Sequence, residues 1–164
     1  MVIAEELNKL TLLKGQLFSW CYNSKFNLNE KVIFLGNLDF SYFYGQNLID
    51  IDTDKRSFLR LIFNSCQISV ECPWRLRSKK EILIGESDCI SAPNKFSRLS
   101  LKKIIMNKKI VGITYCEHLF LLTIEFENGL YFDLFHCSSY FEGWVLNGDN
   151  GVDIFTMPGG EISD

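Results

Sequence analysis

Trp74-Arg75-Leu76, five residues, then Ile82-Leu83-Ile84 recurs as Trp144-Val145-Leu146, five residues, then Val152-Asp153-Ile154. Upstream, FLRLIF (58–63) and CQISVEC (66–72) are echoed by LLTIEF (121–126) and LYFDLFH (130–136), and LIDI (48–51) by KIVGI (109–113). The offset drifts from about 62 to 70, as it does when turns and the SSYFEG segment (138–143) gain residues while strands keep their length. A repeat of this kind yields units with one apolar face each, and the unit of like shape in the same chain is the nearest cover. The expectation is a mainly β fold (α+β with minor helix): two duplicated antiparallel β-meander units, about 45–90 and 108–161, packed as a pseudo-twofold sandwich or partly open barrel in a single domain spanning 1–164.

The residues support strands directly. Cys66, Ile68, Val70 and Cys72 alternate with Gln67, Ser69 and Glu71, and Leu130, Phe132, Leu134 and His136 form a second such row. Asn64-Ser65, Ser78-Lys79-Lys80, Glu127-Asn128-Gly129 and 147–151 (NGDNG) supply residues suited to hairpin corners. Helix is scarcer. Residues 1–44 read as an N-terminal extension with an amphipathic helix over 3–14, and Ser100–Met106 as a short helical connector after a serine N-cap. The loop from Glu86 to Ser97 is the expected junction between units. Fourteen phenylalanines and a 47% hydrophobic fraction suit half-buried pleated surfaces.

Six cysteines without a CxxC pair, no apolar leader in MVIAEELNKL and no apolar run of about 20 residues predict a reduced, cytoplasmic protein with no membrane span.

Charge is divided along the chain. Residues 55–109 hold thirteen Lys and Arg against four acids, whereas residues 110–164 hold nine carboxylates and no Lys or Arg. Such opposed fields point to a charged partner. A net charge of -3 disfavours nucleic acid as that partner. The expected contact is a set of outward-facing carboxylates, Glu125, Glu127, Asp133, Asp149 and Asp153, with Tyr131 and Tyr140 as aromatic anchors.

Other residues read as structural. Trp74 and Trp144 occupy equivalent repeat positions and are expected to fill equivalent core sockets, with Arg75 and Glu142 beside them as an ion pair. Asp50, Asp52 and Asp54 would share one side of a strand, but a calcium loop from Asp50 needs Gly and Glu where Lys55 and Leu61 stand. Cys116 and His118 would share one side of a strand, and His136 adjoins Cys137, in no zinc spacing. No catalytic residue, metal or cofactor is assigned.

Cys72-Pro73-Trp74-Arg75-Leu76, then Glu142-Gly143-Trp144-Val145-Leu146, then Pro158-Gly159-Gly160 resemble the motifs of a family of small uncharacterised bacterial proteins, over roughly residues 45–161. The resemblance implies an immunity or accessory role beside polymorphic toxins and transfers no functional residues. Combined with the acidic tail half, it suggests a non-enzymatic immunity protein that neutralises a basic, nuclease-type toxin. The alternative is a small-ligand-binding module with an aromatic pocket between the repeats.

Overall fold

The computed structural model describes residues 38–54 and 57–164; the helix expected over 3–14 lies outside them. Leu38–Asp164 forms one compact body. Its strands are β1 (Leu48–Ile51), β2 (Leu59–Phe63), β3 (Cys66–Val70), β4 (Trp74–Arg77), β5 (Ile82–Gly85), β6 (Ile110–Cys116), β7 (Leu121–Phe126), β8 (Leu130–Phe135), β9 (Trp144–Gly148), β10 (Asp153–Thr156) and β11 (Ile162–Ser163). Two short helices, α1 (Glu86–Ser91) and α2 (Arg98–Ile105), separate β5 from β6.

The strands form two antiparallel sheets, ordered β1-β2-β3-β9-β10-β11 and β5-β4-β8-β7-β6. The result is an open, mainly β sandwich. Each repeat unit is divided between the sheets. The first gives its three-stranded meander to one sheet and its β4–β5 hairpin to the other, and the second reverses the assignment. Register obeys the same pseudo-twofold: Trp74 pairs with Leu134 and Leu76 with Phe132, as Trp144 pairs with Val70 and Leu146 with Ile68. Even the irregularities repeat, with a bulge between Leu48 and Asp50 in β1 and between Ile110 and Gly112 in β6. These bulges bend both edge strands alike.

The pseudo-axis is visible in contacts between equivalent residues. Phe63 and Phe126, each ending the second strand of its unit, stack with centroids 6.3 Å apart and planes within 9°. Asn47 and Lys109 form an antiparallel bridge, flanked by Leu48 N–H to Lys108 O (2.9 Å) and Ile110 N–H to Gln46 O (3.0 Å).

Alternation sets the core. In β2, β3 and β7 every second residue is buried, giving Leu59, Leu61, Phe63, Cys66, Ile68, Val70, Leu122, Ile124 and Phe126. Leu101 and Ile105 of α2 close the core beside β1, to which Lys102 is tied by an ion pair with Asp50. Phe40 and Phe43 are also buried, so the sandwich begins near Leu38 and the last residues of the expected extension belong to it.

The segment expected as a loop after Gly85 starts with a helix. Asp88 reaches back to accept the Gly85 N–H at 2.8 Å, and this local cap outweighs the weak helix preference of ESDCIS. The connector helix begins at Arg98, with Ser97 as its cap: the Ser97 hydroxyl accepts the Ser100 N–H.

Candidate functional site

The expected acidic surface loses one member. Asp133 faces outward from β8, as alternation requires, yet its side chain has no exposed surface. The strand order places Arg75 directly opposite on β4 and Thr123 opposite on β7. Its Oδ2 accepts from Nε of both Arg75 and Arg77 at 2.7 Å, and Oδ1 accepts from Arg77 Nη2 at 3.2 Å and Thr123 Oγ1 at 3.0 Å. Burial alone would raise its pKa; the bonds from Arg77, Arg75 and Thr123 outweigh it and hold the carboxyl below the usual range. The ion pair expected between Arg75 and Glu142 is therefore replaced by Arg75–Asp133.

Tyr131 is half-buried, with the Arg77 guanidinium 4.5 Å from its ring centroid. Glu125 and Glu127 lie at the β7–β8 hairpin, and Asp149 and Asp153 at β9–β10 in the other sheet. Among the described residues, salt bridges join Asp52 to Arg60, Asp50 to Lys102, and Asp133 to Arg75 and Arg77; these four hairpin carboxylates are in none of them. Asp153 accepts from the Asn147 side chain.

Trp74 and Trp144 are both buried, at equivalent positions. Asp50 lies in β1, but Asp52 and Asp54 fall beyond its end and do not form a one-sided strand row. His118 sits in a 3₁₀ turn (Glu117–Leu119) rather than sharing a strand with Cys116. Among the described residues no group of three His, Cys, Asp or Glu converges as a metal site. Cys66 and Cys72 are buried and their thiols are pushed up to about 12, Cys66 by burial and then Asp149, Cys72 chiefly by burial, so neither supplies a thiolate at neutral pH.

The largest departure from internal symmetry defines another place. By register, equivalent residues stand 64 apart at β3/β8 and 70 apart at β4/β9, so six residues are added between β8 and β9. This insertion carries Tyr140 and Phe141, 79% and 65% exposed, edge to face at 5.0 Å. The Ser138 hydroxyl accepts the N–H of both, at 3.1 and 2.8 Å, which fixes the turn presenting them. Neighbouring turns hold it from behind: Gly159 N–H donates to Ser138 O and His136 N–H to Phe120 O. Phe120, left-handed at φ 47, lies over Gly160, where a Cβ would meet its ring at 2.4 Å. Phe58, Leu119 and Met157 are also exposed.

Below the insertion, His136 is buried, as its place in the apolar row of β8 suggested. Its Nε2 lies 2.8 Å from the Ser138 carbonyl and donates to it, leaving Nδ1 a buried acceptor without a hydrogen-bond partner. A Cβ on Gly143 would lie 2.3 Å from that nitrogen and 2.9 Å from Thr156 Oγ1, which itself accepts the N–H of Gly143 and Trp144. Gly143→Ala is therefore expected to cost about 2 kcal/mol in urea denaturation. The cost should fall by more than half in a His136→Ala background, the double-mutant signature of a direct clash.

A cavity of about 260 Å³ opens beside the insertion, lined by residues of both units: Phe58, Glu71, Cys72 and Pro73 from the first, His136, Cys137, Ser138, Phe141 and Glu142 from the second. Among the described residues its lining contains two carboxylates, Glu71 and Glu142, and no lysine or arginine. Burial, and then the neighbouring Glu142, raise the pKa of Glu71. Among the described residues neither Glu71 nor Glu142 is in a salt bridge, so both carboxylates bring negative charge to the rim of this recess.

Fold and site together define a pseudo-symmetric two-sheet β protein with an asymmetric aromatic and acidic loop end. Compared with known protein families, curated proteins and solved structures, the chain matches none. Among the described residues no helix is long and apolar enough to cross a membrane.

Proposed function

We propose that the chain is a non-enzymatic binding protein that docks a basic protein partner through its loop end, in the manner of an immunity protein that occludes a cationic, nuclease-type toxin in the cytoplasm. The observation that carries this reading is the Tyr140–Phe141 pair, exposed on a turn whose backbone N–H groups the Ser138 hydroxyl accepts, beside Glu71 and Glu142, which are in no salt bridge among the described residues. Two large aromatics kept in water on an inserted loop do nothing for the core. They suit the anchors of an interface, which gains most from rigid rings that enter a partner's surface. The carboxylates select a positive partner. The hairpin carboxylates Glu125, Glu127, Asp149 and Asp153 add a longer-range field that raises the encounter rate with it. Occlusion needs no reactive group.

The test is the product of the neighbouring gene, purified and titrated against this chain. Tyr140→Ala/Phe141→Ala should weaken binding about tenfold or more, chiefly through faster dissociation, with unchanged melting temperature. Reversing Glu125, Glu127, Asp149 and Asp153 to lysine should slow association and flatten its salt dependence. Kinetics indifferent to both sets of changes would remove the docking reading.

A further inference from the structure

We infer that the cavity beside Tyr140 and Phe141 is a socket for a single lysine or arginine side chain of the partner. This rests on the docking reading above and names the chemical group it grips. Size is the first argument. At about 260 Å³ the cavity falls below the roughly 300–1,000 Å³ of small-molecule pockets and suits one long side chain.

Chemistry is the second. Glu71 and Glu142 offer acceptors for an ammonium or guanidinium, and the rings of Phe58 and Phe141 offer π faces to a cation. Cys72 and Pro73 give apolar wall against which the methylene stem of such a side chain can lie. A bound metal ion would use the same charge, but the ligand set it needs is missing among the described residues. Burial first, and the nearby Glu142 second, raise the pKa of Glu71, and a cation placed beside both carboxylates would oppose that shift.

The socket is also where the symmetry of the fold fails most. Its first-unit wall is Phe58 with the short β3–β4 connection, and its second-unit wall is the longer β8–β9 connection. The added residues therefore create both the exposed anchors and the recess beside them, and one protein surface can engage both.

The experiment uses the whole chain, labelled with ¹⁵N and titrated with N-acetyl-lysine methylamide and N-acetyl-arginine methylamide, with the norleucine analogue as the uncharged control. Saturable shifts are expected at Glu71, Cys72 and residues 136–143 with both cations and not with norleucine. Glu71→Gln/Glu142→Gln should weaken cation binding about fivefold or more. Equal response to norleucine, or equal cation affinity in the double glutamine variant, overturns the socket. Titration of the neighbouring gene product separates this from failure of the docking reading. Binding lost in Tyr140→Ala/Phe141→Ala but unchanged in Glu71→Gln/Glu142→Gln refutes the socket alone, and binding unchanged in both refutes the docking site.

Discussion

Trp144→Ala is expected to remove about 3–5 kcal/mol of folding stability, read as a shift of the urea midpoint at constant slope. Trp144 is fully buried where β9 meets β3, its ring packed edge-on against Tyr115 at 6.0 Å. Alanine there leaves a void between the sheets that a rigid β frame closes only in part. For a domain of ordinary stability, roughly 5–15 kcal/mol, that loss is a large share. Phenylalanine should behave differently. The Trp144 Nε1–H is buried with no hydrogen-bond partner, so Trp144→Phe gives up volume but also deletes an unsatisfied donor. The expected cost is about 1 kcal/mol. A phenylalanine variant as unstable as the alanine one would show that the indole N–H is satisfied in solution.

Asp133→Ala is the second large effect, expected at about 3 kcal/mol. Removing one member of a buried charge pair usually costs about 3–5 kcal/mol because its partners are stranded. Here the lower end applies, since the Arg75 and Arg77 side chains keep 36% and 30% of their surface in water. Acid dependence gives an independent check. The native pKa of Asp133 is depressed, so its contribution is complete above the unfolded value of about 4 and disappears as pH falls through the lower native value. The stability gap between wild type and Asp133→Asn should thus be widest near neutrality and narrow steadily below about pH 4. A gap constant from pH 7 to pH 2 would mean that the carboxylate is not ionised in the folded protein.

The same aspartate marks where sequence reasoning stops. Alternation along β8 places Asp133 on the outer face, and that is correct. Its fate depends on which strand lies alongside, and Arg75 and Arg77 come from 58 and 56 residues upstream, on a strand that three others separate from β8 in the chain but that lies beside it in the sheet. Periodicity assigns sides and says nothing of neighbours, which is also why Glu142, adjacent to one repeat tryptophan, was matched with the arginine beside the other. Where cause is local, the chain was readable. Asn128 and Gly129 do adopt positive φ at a hairpin corner, a serine does start the connector helix, and the repeated tryptophans do enter the core. The loop-end site also had a signal: the jump in repeat offset at SSYFEG, an insertion carrying two aromatics and a carboxylate. Sequence counts charges without showing which are neutralised, and of the five carboxylates expected at the contact Asp133 is the one that a salt bridge consumes among the described residues.

Interleaving of the two halves bears on how the protein behaves in a complex. Neither half owns a complete sheet, and the Phe63–Phe126 stack and the Asn47–Lys109 bridge tie them at matched points. Melting one half strips strands from the sheet that shelters the other, so order is gained or lost across the sandwich as a whole. If Tyr140 and Phe141 anchor a partner as proposed, local fraying of one half cannot retract them, and release must come from the interface itself.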